Sequence, residues 1–272
     1  MTAGLVVLVY AIVKAQAWGF GSGKTLGLAA VAVALLAAFI VIEARSKAPL
    51  VRLGIFRKRT LTGANVVMTL VAAGMFSMFF FATLYVQEIL GFSPLKAGLA
   101  FLPVTAGIMI GAGVAQQGIK RIGARLQTVI GISVAAVGMF MLTGMPADGS
   151  YASDVLPGLL PIAFGMGMTF VPITLMATTG VHGDDQGLAS GLLNTAQQVG
   201  GALGLAVLST VAFNHAQSAG GSRAEALVSG YTTAFTVGGF LLAAGAALIL
   251  VLIRRDDVAH IATGEQPALA AA

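Results

Sequence analysis

Three carboxamide side chains, those of Asn194, Gln197 and Gln198, lie within an otherwise apolar stretch of the sequence. With Gly201 they are spaced i, i+3, i+4 and i+7, so on an α-helix they share one face. A carboxamide donates and accepts hydrogen bonds but carries no charge near neutral pH. Two hypotheses explain such a face: hydrogen bonds between neighbouring helices, or the lining of a cavity that contacts a small-molecule substrate.

Small residues recur on the same segment at a spacing of four. Gly187 is followed by Gly191, and Gly200 by Gly204. Such pairs let two helix backbones approach closely, because no side chain stands between them. We therefore predict that these four glycines pack against neighbouring helices.

Three residues elsewhere are weaker candidates for contact with the same substrate. Asn65, followed one turn later by Thr69, repeats the polar pattern in an earlier apolar segment. Met168 and Phe170 belong to a cluster of Met and Phe residues, and such flexible, polarizable side chains suit promiscuous apolar binding. Ordinary helix packing is the alternative explanation for that cluster.

The residue types that carry enzymatic chemistry are not arranged for it. His182, His215 and His260 have no metal-ligand spacing, and Ser190 lacks the flanking glycines of a nucleophile elbow. Residues 21–25 (GSGKT) end like a phosphate-binding loop, but that motif also needs an earlier glycine and a preceding strand. Cysteine is absent. We predict that the chain is not an enzyme and needs no metal or cofactor.

Carboxylates are placed at the ends of apolar segments. No Asp or Glu lies in the middle of a predicted helix, and Glu43 and Glu88 are at helix ends. Proton-coupled transport normally needs an ionisable group inside the membrane. Glu88, at the outer interface, is the one carboxylate that could titrate during transport.

The elements that position these residues are transmembrane helices. The chain has 272 residues, 57% hydrophobic and 9% charged, with a mean hydropathy of +0.93, whereas soluble domains carry roughly 25% charged residues. Apolar runs of about twenty residues, enough to cross a bilayer, recur along the whole length. The fold class is therefore all-α, a polytopic membrane protein with about eight transmembrane helices. The predicted helices are 3–17, 25–43, 61–87, 95–117, 127–145, 155–181, 187–213 and 229–253.

The basic residues predict how the helices are oriented. If the C-terminus is cytoplasmic, eleven of the fifteen Lys and Arg residues fall in cytoplasmic segments and three in outer ones, which satisfies the positive-inside rule. We predict that the protein lies in the plasma membrane. An even number of helices then places both termini in the cytoplasm. The net charge of +5 reflects this asymmetry, and we predict no nucleic-acid partner.

The same pattern divides the chain into four parts. A first apolar run of only thirteen residues before Lys14 indicates a truncated first helix, and the polar end of the chain indicates disorder. The parts are a transmembrane helix pair (1–44), a basic cytoplasmic linker (45–60), a six-helix transporter half (61–253) and a disordered cytoplasmic tail (254–272).

Three motifs give the chain a family resemblance. They are QEILGFSPLKAG at 87–98, Phe-Val-Pro at 170–172 and the Gly-rich stretch 187–204. Together with a helix pair followed by PLVRLGIFR at 49–57, they resemble the major facilitator superfamily, specifically its fourteen-span drug:proton antiporters. The resemblance covers residues 3–253. It implies a C-terminal half-fold, two extra central helices, and six further spans in similar proteins, among them the span with the proton-coupling acid.

The resemblance also singles out one cytoplasmic loop. Arg121, Gly123 and Arg125 are similar to a degenerate copy of the superfamily's Gly…Asp-Arg-x-Gly-Arg loop. Lys120 stands where that motif has an acid, so the loop departs from the family pattern there.

The function expected from this resemblance is that of a fragment of a secondary transporter. It would export hydrophobic or cationic drug-like molecules by proton coupling. Its partners would be the lipid bilayer and either a missing N-terminal half or a second copy of the chain. The alternatives are a non-transporting membrane scaffold, a nonfunctional truncated remnant, or a half-transporter that self-associates.

Overall fold

The chain is helical throughout the part that the computed structural model describes, which comprises residues 2–19, 21–46, 53–181, 183–259 and 261. Every helix predicted from the sequence has a counterpart. The helices are α1 (Thr2–Trp18), α2 (Gly23–Arg45), α3 (Arg59–Leu84), α4 (Pro94–Ala100), α5 (Leu102–Met141), α6 (Leu156–Thr178), α7 (Gly183–Ser218) and α8 (Arg223–Leu252). Short 3₁₀ turns occupy Leu53–Arg57, Leu142–Gly144 and Asp256–Val258, and π-helical turns occupy Tyr85–Ile89 and Tyr151–Val155.

Local sequence signals explain where several helices begin. Gly91 has a φ of 66°, the left-handed conformation that glycine adopts without strain. Ser93 then accepts a hydrogen bond from the Lys96 backbone N–H at 3.3 Å, ahead of Pro94 in the first turn of α4. Ser222 and Glu225 form a capping box at the start of α8.

Helix α5 is two helical segments that reverse direction at one glycine. Gly123 has φ 80° and ψ 158°, a backbone conformation that side chains disfavour. Gly111 before the turn and Gly131 after it both lie against residues 164–169 of α6. Two positions twenty residues apart can meet the same turn of α6 only if the chain folds back between them. The segments correspond to the predicted helices 95–117 and 127–145, and α4 leads into the first.

The main core joins α3, α5, α6, α7 and α8. Phe81 of α3 is at its centre, with its ring centroid 5.6 Å from that of Tyr231 and 6.4 Å from that of Phe235, both on α8. Helix α1 packs against α2 and α7. A smaller cluster forms where Ile55 of the linker meets the start of α3 and the start of α7.

Six helical stretches of the described residues are long and apolar enough to cross a membrane, so the chain is a multi-pass membrane protein. The apolar part of α1, Thr2–Ala15, is shorter. One stretch of 51 residues contains the reversal at Gly123. The six stretches are Gly23–Arg45, Arg59–Ile89, Pro94–Gly144, Tyr151–Thr178, Asp185–Ser218 and Arg223–Leu252.

Basic side chains brace one end of the bundle. Lys58, just before α3, donates a hydrogen bond to the backbone carbonyl of Gly180, after α6. Arg125, just after the turn in α5, donates to the Leu250 carbonyl at 2.7 Å, near the end of α8. Of the predicted linker and tail, residues 47–52, 260 and 262–272 lie outside the described residues, so the predicted disorder of the tail falls mostly there.

Candidate functional site

One edge of α7 is open and carries two of the predicted carboxamides. Asn194 and Gln198, four residues apart, are both exposed, whereas Gln197 is half-buried and Gly201 is buried. Successive residues of a helix are rotated by about 100°, so these four positions spread over about 100° of the helix circumference. The Gln197 and Gly201 side of that arc is turned towards α3, and the Asn194 and Gln198 side is open.

The two glycine pairs of α7 differ in the same way. A Cβ atom built on Gly200 would lie 2.3 Å from the Thr69 carbonyl oxygen, and one on Gly204 would lie 2.2 Å from the Ala73 Cβ. The backbones of α3 and α7 therefore touch at these glycines. A Cβ on Gly187 or Gly191 would meet nothing within 4 Å among the described atoms. The pairs point about 140° apart around the helix axis, so one pair packs on α3 and the other lies on the open edge.

An aromatic residue that the sequence analysis missed lies beside this surface. The half-buried ring of Phe76, on α3, covers Gly201, where an added Cβ would come within 2.7 Å of the ring. Gly201, which directly follows Gly200, was the available signal in the sequence. A glycine outside the Gly200/Gly204 pair indicates that a bulky side chain from a neighbouring helix packs against that position. Phe76 adds an apolar surface at Gly201, one helical turn along α7 from Gln197 and Gln198.

Asn65 and Thr69 lie on α3, which packs against α7, and both bond within their own helix. The Asn65 Nδ2 donates to the Leu61 carbonyl at 2.8 Å, and the Thr69 hydroxyl donates to the Asn65 carbonyl at 2.9 Å. Because Thr69 lies beside Gly200, Asn65 stands one turn earlier, at the level of residues 196–197 of α7. Its side chain is half-buried.

The two candidates on α6 are placed differently from the carboxamides. Met168 is only 6% exposed, at the point where Gly111 of α5 approaches its backbone. Phe170 is half-buried and packs against the main core. The structure thus places Asn194 and Gln198 on the open edge of α7, Asn65 on the neighbouring helix α3, and Met168 inside the α5–α6 contact.

The predicted cytoplasmic loop is the turn that reverses α5. Gly123 provides the left-handed turn, Arg121 is exposed, and Arg125 reaches the end of α8 as described above. The Arg125 Nε is buried without a hydrogen-bond partner among the described atoms. The described contact of Arg125 holds helix ends together.

Glu88 lies at the opposite end of the bundle from this loop. It is exposed in the π-helical turn after α3, and its Oε2 accepts a hydrogen bond from the Tyr231 hydroxyl at 3.1 Å. The contact ties the end of α3 to α8 at the start of the bundle's aromatic core.

The open edge of α7 is suited to binding and not to bond chemistry. Neutral amides offer two donors and two acceptor lone pairs each, and their charge does not change with pH in the physiological range. Within the described ranges there is no cluster of three or more His, Asp or Glu side chains that could hold a metal. The arrangement can hydrogen-bond an uncharged or weakly polar group beside an apolar ring.

The described part of the chain is a bundle of long apolar helices with a polar edge on α7. The comparisons identify the class of protein to which it belongs. The profile of the Major Facilitator Superfamily matches residues 3–205. The chain belongs to this superfamily, a family of transporters and not of enzymes, which confirms the family expected from the sequence.

Similar proteins are named for drug resistance and export. The puromycin resistance protein pur8 of Streptomyces alboniger is 36% identical over 266 residues, which cover 93% of this chain and 52% of the relative. The cephamycin export protein CmcT of Amycolatopsis lactamdurans is 34% identical over 245 residues, 89% of this chain and 50% of the relative. The tetracenomycin C resistance and export protein of Streptomyces glaucescens is 34% identical over 208 residues, 76% and 38% respectively. The chain spans about half the length of these relatives or less.

Proposed function

We propose that the chain forms the C-terminal part of a fourteen-span drug:proton antiporter, which exports hydrophobic or cationic drug-like molecules across the plasma membrane. Residues 61–253 form a six-helix transporter half, and residues 1–44 form the extra helix pair. The names of the relatives and the family membership support the substrate class and the direction of transport.

One observation carries the proposal: two carboxamides are exposed near the middle of α7, a helix long and apolar enough to cross a membrane. Asn194 and Gln198 lie eleven and fifteen residues after the start of a 36-residue helix, which is about 17 and 23 Å along its axis. Polar groups facing hydrocarbon are costly unless they are paired or hydrated. Either protein or a water-filled cavity therefore faces this edge in the assembled transporter, and an N-terminal half is the partner we propose.

The proposed topology has eight crossings with both termini in the cytoplasm. It counts α1 and α2 as one crossing each and the two segments of α5 as one each, because the chain reverses at Gly123. The end of the bundle that holds Lys58, Arg125 and the two arginines after α8 would face the cytoplasm under the positive-inside rule.

A second candidate is a half-transporter in which two copies form the pathway. The open edge of α7 favours it equally, since a second copy would cover the same polar side chains. A non-transporting scaffold is the remaining alternative, and it predicts no dependence of transport on this edge.

A chimera tests the transport function directly. Residues 1–272 would replace the matching region of the puromycin resistance protein, and puromycin accumulation would be measured in cells that lack other exporters. We expect the chimera to lower accumulation relative to cells that carry the first part of pur8 alone. A chimera that reaches the membrane in normal amount but leaves accumulation unchanged would exclude a transport role for this chain.

A further inference from the structure

The turn between α1 and α2 gathers two lysines around one tryptophan. The Lys14 Nζ lies 6.0 Å from the Trp18 ring centroid and 5.9 Å from the Tyr10 ring centroid. The Lys24 Nζ, from the start of α2, lies 5.7 Å from the same Trp18 ring. The Tyr10 and Trp18 rings meet edge to face with their centroids 6.3 Å apart. Two ammonium groups from different helices therefore converge on one aromatic pair.

The turn itself holds this arrangement. The Ser22 and Thr25 hydroxyls are hydrogen-bonded at 2.9 Å, and the Thr25 hydroxyl also donates to the Gly19 carbonyl at 2.9 Å. Thr25 is buried. These bonds tie the end of α1 to the first turn of α2, so Lys24 stays beside Trp18.

The two lysines have no carboxylate partner within their own hairpin. Residues 1–42 contain no Asp or Glu, and the first acidic residue of the chain is Glu43. Glu43 lies near the far end of the 23-residue α2, about 30 Å from Lys24 along the helix axis. Aromatic rings at about 6 Å attract a cation only weakly. Both ammonium groups are therefore available to an anion from outside the hairpin.

The aromatic residues around the lysines indicate how deep in the bilayer the ammonium groups lie. Tyr10 is 48% exposed, and Trp18 is half-buried. Tyr and Trp side chains concentrate at the boundary between hydrocarbon and headgroups, and lysines near helix ends extend their ammonium groups to the same level. The anions available at that depth are lipid phosphates.

We propose that Lys14, Lys24 and the Trp18–Tyr10 pair bind the headgroup of an anionic phospholipid. The two ammonium groups attract the phosphate, and the rings pack against the glycerol and upper acyl region. A zwitterionic headgroup binds less well, because it brings its own cation next to the two lysines. The proposal depends on membrane insertion but not on the proposed transport function.

The single tryptophan of the chain makes this site directly measurable. Trp18 is the only tryptophan, so quenching of intrinsic tryptophan fluorescence by brominated lipids reports contact at this position alone. The 272-residue chain would be placed in bilayers that contain either brominated phosphatidylglycerol or brominated phosphatidylcholine. We expect phosphatidylglycerol to be preferred by a factor on the order of ten. The double variant Lys14→Gln with Lys24→Gln should reduce this factor to near one, and the double Arg variant should retain it.

Lys96 provides the matched control. Its Nζ lies 3.7 Å from the Phe92 ring centroid, a similar lysine–aromatic pair in another part of the chain, so Lys96→Gln should leave Trp18 quenching unchanged. Equal quenching by the two lipids in the unmodified chain would overturn the proposal, even if the Gln variant failed to fold. So would displacement of the lipid by inorganic phosphate at low millimolar concentration, which would indicate a site for free anions.

Discussion

At the scale of the residue, the open edge of α7 combines hydrogen-bonding capacity with neutrality. Asn194 and Gln198 can each donate to or accept from a bound molecule without imposing a charge on it. The neighbouring Phe76 ring adds apolar contact that depends little on shape. Such a pairing favours recognition of varied molecules, because no single charged group of the ligand is required.

Substitution of these carboxamides distinguishes the two hypotheses for α7. In the chimera, Asn194→Leu or Gln198→Leu should reduce puromycin transport about fivefold, the loss expected for one hydrogen bond of about 1 kcal/mol, while membrane abundance stays unchanged. Asn214→Leu, an exposed Asn near the end of the same helix, is the control and should have no effect. A parallel fall of abundance and transport would show that the carboxamides pair with helices instead.

At the scale of the element, the contact between α3 and α7 depends on glycine. Gly200 and Gly204 let the two backbones touch over one full turn, with Thr69 and Ala73 on the other side. Any atom added at Gly200 or Gly204 would force the two helices apart, because the close-packed contact between them has no free volume.

Two alanine substitutions in α7 test this contact against a matched position. Gly204→Ala should lower the stability of the purified chain by about 1–3 kcal/mol through overpacking. Gly191→Ala, on the open edge, should be neutral or slightly stabilising, because alanine favours the helix by roughly 0.5–1 kcal/mol over glycine. Thermal unfolding in detergent gives the comparison. Equal melting temperatures for the two variants would mean that the α3–α7 contact is not tight in solution.

At the scale of the whole molecule, carboxylates lie at the two ends of the bundle and not in its middle. One end holds Lys58, Arg125 and the arginines after α8, and the other holds acidic side chains such as Glu88, Asp154 and Glu225. The middle of the described helices carries no carboxylate. The described helices therefore offer no carboxylate that could carry a proton at the centre of a membrane.

Orientation can be measured with single cysteines, since the chain has none of its own. Ser150 and Gln186 are both exposed and lie at opposite ends of the bundle. A cysteine at position 150 should react with a membrane-impermeant thiol reagent added to intact cells, and one at position 186 should react only after permeabilisation. The reverse pattern would overturn the proposed orientation.

The absence of a central carboxylate leads to a prediction about coupling. Proteoliposomes that contain only residues 1–272 should show no dye efflux driven by an imposed pH gradient, because Asn194 and Gln198 cannot carry a proton and one bundle has no second bundle to move against. Efflux that disappears when the gradient is collapsed would support the self-associating half-transporter. Glu88 would then be the first residue to replace.

The helices, their order and the family of this chain follow from the sequence by itself, because they depend on local properties. Apolar length determines which segments cross a membrane, and the capping signals at Gly91, Ser93 and Pro94 act within a few residues. The spacing of Asn194, Gln197 and Gln198 likewise determines that they share one arc of α7.

Tertiary structure alone decided which side of that arc is open. Helical periodicity specifies the angle of a residue around its own axis, but it does not specify which neighbouring helix occupies that angle. Contacts with α3 therefore bury Gly201 and leave Asn194 exposed. They likewise distinguish the packed pair Gly200/Gly204 from the open pair Gly187/Gly191. The burial of Met168 and the position of Phe76 over α7 depend on the same non-local packing, which no spacing within one helix encodes.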